Sequence, residues 1–84
     1  MNSKQANTLK AIFADPTPAS IEWRAIESLL VAVGCQTFEA SGSRAHFECR
    51  GVIAMFHRPH PAKEAKRYQV RDAREFLQKI GITP

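Results

Sequence analysis

Apolar residues recur at helical spacing in three stretches of the chain and alternate with polar ones in a fourth. Leu9, Ile12 and Phe13 form a short stripe, which predicts a helix over Ser3 to Ala14. Asp15-Pro16-Thr17-Pro18 stops it, because a proline cannot continue a helix and restricts the residue before it. So few apolar residues suit an extension docked on the rest of the fold, or a segment that contacts a partner. Trp23, Ile26, Leu30 and Val33, widened by Leu29, make a second, broader stripe that reads as a core face. Trp23 is expected to anchor that core rather than to stack on a base. Ser20 is the expected N-cap, Glu22 suits the positive helix start, and Gly34 is the expected left-handed end. The third stripe, Val70, Ala73, Phe76, Leu77 and Ile80, predicts a helix over roughly Val70 to Ile80. Asp72 and Glu75 are available as a capping box if it starts late, and Gly81 would close it.

Between the second and third stripes the period changes to two. Cys35 to Ala40 reads as a strand, favoured by Thr37 and Phe38. Ser41-Gly42-Ser43 is a turn that also offers backbone amides to a phosphate. From Arg44 to Cys49, Ala45, Phe47 and Cys49 point one way, and Arg44, His46 and Glu48 the other. After the Arg50-Gly51 turn, Val52, Ala54 and Phe56 continue the apolar side, while Ile53, Met55 and His57 join the other. A hairpin loop of two or of four residues keeps these faces. With two, Arg44 opposes His57 and His46 opposes Met55; with four, the partners shift. Either way Arg44, His46 and His57 share one sheet face, expected to be polar and basic. Arg58-Pro59-His60-Pro61 then breaks the strand, and Ala62 to Arg67 reads as a basic connection.

The order is an extra N-terminal helix followed by α-β-β-β-α. This is an α+β fold: a three-stranded antiparallel sheet covered by two helices on its apolar side. Residues 1–84 are expected to form a single domain, with 1–18 as a helical extension and Pro-rich turn and 20–82 as the α-β-β-β-α core. Eighty-four residues, 44% hydrophobic and 24% charged, suit one small globular core. No apolar run approaches the ~20 residues that span a bilayer, and the N-terminus leads into no signal-peptide core. A soluble, cytoplasmic protein with no membrane partner is expected.

Charge and cysteines refine this picture. The net charge is +4, unevenly placed. Residues 1–43 hold three basic and four acidic groups, residues 44–84 nine basic and four acidic. The C-terminal half therefore suits an anionic partner, either nucleic acid or an acidic protein. Cys35 and Cys49 read as small buried apolar residues rather than a disulfide. All three histidines lie between residues 46 and 60. His57-x-x-His60 lacks a third ligand nearby, so no metal is assigned.

Three motifs stand in a telling order: Gly42-Ser43-Arg44-Ala45-His46-Phe47, then Arg58-Pro59-His60-Pro61-Ala62-Lys63-Glu64, then Arg74-Glu75-Phe76-Leu77-Gln78-Lys79-Ile80-Gly81-Ile82. Together they resemble the HicA-type toxins of bacterial toxin–antitoxin systems, over residues ~20–82. The resemblance implies a double-stranded-RNA-binding-domain-like fold, mRNA cleavage as an endoribonuclease without a cofactor, and an acidic HicB-type antitoxin as partner. It carries the family's post-strand histidine to His60. It does not carry the Gly-Ser-His catalytic histidine, because Arg44 stands there. On this reading Arg44 clamps the scissile phosphate, and His57 and His60 are the acid and base, with His46 as third candidate. Lys63, Lys66, Arg67, Arg71 and Ser43 are expected to bind RNA phosphates. Tyr68 is left between stacking on a base and packing. Two other readings remain: a module that binds RNA without cutting it, and a domain that only docks an acidic protein.

Overall fold

The chain runs α1 (Ser3–Ile12), α2 (Trp23–Ala32), β1 (Gln36–Glu39), β2 (Arg44–Cys49), β3 (Val52–His57) and α3 (Arg67–Lys79) in a computed structural model that describes residues 1–84. The strands form one antiparallel sheet in the order β1-β2-β3. Helices α2 and α3 lie on the side carrying Ala45, Phe47 and Phe56. Trp23 at the start of α2 meets Phe56 and Phe47, with ring centroids 5.1 and 6.2 Å away, and the two phenylalanines are 5.9 Å apart. Tilted and edge-on rings of this kind add attraction beyond their burial. Trp23 is thus the core anchor its spacing predicts.

The β2–β3 hairpin takes the two-residue loop, so Arg44 pairs with His57 and His46 with Met55. Arg50 and Gly51 both have positive φ, +52° and +77°. That is the primed turn whose twist matches the strands, and glycine adopts it without a Cβ clash. Arg50 also donates from Nη1 to the Ile80 carbonyl, one of the carbonyls that the end of α3 leaves without an internal partner. The hairpin tip and the helix end therefore hold each other.

Both core helices close as Schellman motifs. Cys35 N donates to Leu30 O at 3.0 Å and Gly34 N to Val31 O at 3.0 Å. At the end of α3, Ile82 N donates to Leu77 O at 2.8 Å and Gly81 N to Gln78 O at 3.1 Å. The helix starts depart from expectation. Helix α2 is capped at Glu22, not Ser20, and no side chain caps it. Residues 21–23 are instead taken into backbone pairing with the segment after Pro61: Trp23 N donates to Lys63 O (2.9 Å) and Ala65 N to Ile21 O (2.8 Å). Helix α3 begins at Arg67, three residues before the apolar stripe. Asp72 and Glu75 lie inside it and do not cap it. Gln69 does that work, its Oε1 accepting from Lys66 N at 3.0 Å.

Helix α1 is part of the core. Leu9 and Ile12 are buried with the α2 and α3 residues. Arg74 of α3 donates to Ile12 O (2.9 Å), Ala14 O (3.1 Å) and Thr17 Oγ1 (3.2 Å), and Arg67 to Thr17 O (3.1 Å). Cys35 and Cys49 are both free and buried. The pairing of Gln36 with Glu48 brings them side by side across the strands. Burial, and then Cys49, pushes the Cys35 thiol up to about 12.

Candidate functional site

His57 and His60 lie at the end of the sheet away from the hairpin tip, and His46 one row inward. At that end β3 gives way to the Arg58–Pro61 elbow, and three attachments fix the elbow's path. Arg58 N donates to Ser43 O at 2.8 Å. Gln69, the one buried polar side chain, donates from Nε2 to His57 O at 2.6 Å while capping α3. Beyond Pro61, the pairing of 63–65 with 21–23 ties the far side down.

A fourth attachment is an ion network that the sequence pattern does not reveal. The Arg58 guanidinium donates to Glu39 Oε1 and Oε2, both at 2.7 Å, and to Glu27 Oε1 at 2.7 Å. Glu27 also accepts from the Trp23 indole. A planar guanidinium can serve two carboxylates at once, which an ammonium cannot. The hydrogen bond from Arg58 holds the Glu39 carboxyl below its usual range, and Glu39 and then Glu27 raise Arg58 further above its own. Arg58 thus joins α2, β1 and the elbow. The motif containing it was legible, but its partners lie 31 and 19 residues away, and no periodicity marks them.

Between the end of β3, the elbow and the first turn of α3 lies a cleft of about 210 Å³. His57, Arg58, His60, Lys66, Tyr68 and Gln69 line it. A larger hollow of about 640 Å³ sits over α2 by Trp23 and Val31 and holds no histidine. Tyr68, 51% exposed, stands on the cleft wall and is not packed in the core. Arg44 is the cross-strand partner of His57. Its guanidinium bends back over the β1–β2 turn, donating to Ser41 O at 3.2 Å and Ser41 Oγ at 2.6 Å. His46 lies one row further along the sheet, opposite Met55, outside the cleft.

Of the other expected phosphate ligands, Lys63 and Arg71 are exposed but lie outside the cleft. Arg67 spends one donor on Thr17, and Ser43 gives its carbonyl to Arg58. No three His, Cys, Asp or Glu side chains are close enough together to hold a metal ion. No helix is long and apolar enough to cross a membrane.

The open sheet face also departs from expectation, being amphipathic rather than polar and basic. Phe38, Ile53 and Met55 stand on it 48%, 65% and 53% exposed. Phe38 completes a row with His46 and Met55 across all three strands. The β-propensity of Phe38 marks it only as strand-forming, and propensity does not disclose which face of a strand is covered.

A family model described as the HicA toxin of bacterial toxin–antitoxin systems matches residues 23–82. No curated protein and no solved structure matches the chain significantly. The matched span starts with α2 and ends two residues beyond Ile80, so α1 lies outside it.

Proposed function

The chain belongs to the HicA family of bacterial toxin–antitoxin toxins, whose members are restrained by an antitoxin, and from this we propose a metal-independent endoribonuclease that cuts mRNA at the His57–His60 cleft. The observation that carries the reading is the convergence of His57, His60 and Lys66 on one cleft, with Arg44 across the strand pair. One histidine takes the proton of a ribose 2′-hydroxyl. The freed oxygen attacks the adjacent phosphorus and the bond to the 5′-oxygen breaks. The other histidine gives its proton to that leaving oxygen. The products are a 2′,3′-cyclic phosphate and a 5′-hydroxyl end. Imidazole suits both roles because it titrates near neutrality. Lys66, and Arg44 once turned from Ser41, oppose the charge that builds on the phosphate. His46, one row away, is the third candidate. Lys63, Arg67, Arg71 and Ser43 would follow the flanking backbone. The reading places the protein in the bacterial cytoplasm, with an acidic HicB-type antitoxin over the basic site.

The test is incubation of purified protein with mixed-sequence RNA in a metal chelator. Fragments with cyclic-phosphate ends are expected, with His57→Ala or His60→Ala slowing their release on the order of 10²–10⁴-fold. Wild-type rates in the His46→Ala, His57→Ala and His60→Ala proteins alike would end the proposal. Intact RNA that still shifts on a gel would favour the second reading, an RNA-binding module that does not cut. Arg44 supports that alternative, standing in the family's histidine position and bonded back to Ser41.

A further inference from the structure

The cleft accounts for a phosphate and its neighbouring ribose, but not for the exposed apolar row beside it. Phe38, His46 and Met55 are consecutive partners across β1, β2 and β3. Phe38 lies on the open side because the adjacent Glu39 turns to the helix side, where it meets Arg58 and through it Glu27 of α2. Arg44 and His57 form the next row, two residues along their strands, about 7 Å away. On the other side lie Gln36, Glu48 and Ile53. The face is therefore graded, with a guanidinium and an imidazole at the cleft end, an aromatic and thioether strip in the middle, and a carboxylate at the far end.

We propose that this strip is a base-binding platform, on which Phe38, His46 and Met55 receive an unpaired nucleobase of single-stranded RNA whose phosphate lies at Arg44 and His57. The proposal rests on the reading of the chain as RNA-binding, and names the form of RNA that its sheet face selects. An unstacked base offers a flat π surface to an aromatic side chain, and this contact is tolerant of sequence. A duplex keeps its bases stacked and paired and presents phosphates and 2′-hydroxyls, which an apolar row does not bind. Charge sets the direction. Phosphates are drawn to the Arg44 guanidinium and repelled by Glu48, so the backbone follows the cleft edge and the base leans inward over the row.

The probe is a short single-stranded RNA, 2′-O-methylated throughout so that it cannot be cut, beside the same sequence as a perfect duplex. Both are titrated by fluorescence anisotropy at one salt concentration. The single strand should bind more tightly than the duplex. Phe38→Ala should weaken the single strand roughly 5- to 150-fold, leave the duplex unchanged, and be rescued by Phe38→Trp. Circular dichroism checks that each variant folds. Equal affinity of wild type and Phe38→Ala for the single strand overturns the proposal. So does a concentration-dependent dimer, seen by sedimentation, that Phe38→Ala abolishes, since the strip would then be a contact between copies. Unmodified RNA separates this proposal from the ribonuclease reading. Uncut RNA with a Phe38-dependent affinity leaves the platform standing and removes the enzyme. RNA cut with the same KM by wild type and Phe38→Ala does the reverse.

Discussion

Arg58 and Cys35 show how one side chain acquires a role from neighbours that are remote in sequence. Arg58 reads as part of a motif, yet its guanidinium serves the fold by tying Glu27 and Glu39 to the base of the elbow that carries His60. Cys35 reads as a small apolar residue, but burial, and then the neighbouring Cys49, pushes its thiol up to about 12. An unfolded cysteine ionises at about 8.5. Between those values the unfolded chain releases a proton that the native chain keeps. The group's contribution to stability is therefore complete below the unfolded value and is lost as pH rises toward the folded one. Cys35→Ala should flatten the fall in Tm above about pH 8.5. A Tm–pH curve with the same alkaline slope in both proteins would show that the thiol does not sense its burial. Burial of Cys35 was legible from its residue type, a small apolar side chain outside any Cys-x-x-Cys pair. Its pairing with Cys49 was not, because that depends on which residues β1 and β2 bring opposite each other.

Among the elements, α1 departs furthest from its sequence signal. Its stripe is only three residues, so the pattern left open whether it docks or reaches for a partner. In the fold Leu9 and Ile12 are buried, and Arg74 satisfies two carbonyls where the helix ends and the chain turns. Ile12 is fully buried, so Ile12→Ala should cost about 2–5 kcal/mol. Urea unfolding with an unchanged m value checks this. A loss below ~0.5 kcal/mol, as for an ordinary surface position, would mean that α1 is only loosely attached. Helix α3 teaches the complementary lesson. Its apolar stripe located the buried turns correctly but missed its first three residues, Arg67 to Gln69. These form helix because Gln69 bonds both Lys66 N and His57 O, a contact between the start of a helix and the end of a strand.

For the whole molecule, the surplus of positive charge in the C-terminal half is real but unevenly available. Arg50, Arg58, Arg67 and Arg74 are engaged in holding helix ends, carboxylates and α1, while Lys66 lines the cleft. If RNA follows the cleft, Lys66→Gln should lower the slope of log affinity against log salt by about 0.7, the share of one phosphate on a single strand. Arg74→Gln should leave that slope alone and lower Tm instead. An unchanged slope for Lys66→Gln would take the cleft off the path of the backbone. The sequence by itself determined the order of elements, the three antiparallel strands, the shared face of Arg44, His46 and His57, and the family, because periodicity, turn residues and short motifs are local. The tertiary structure alone chose the two-residue register, set His57, His60 and Lys66 around one cleft, clamped the elbow through Arg58, and left Phe38 exposed beside His46. Those outcomes depend on distances between residues far apart in the chain, which only the packing of helices against the sheet can set.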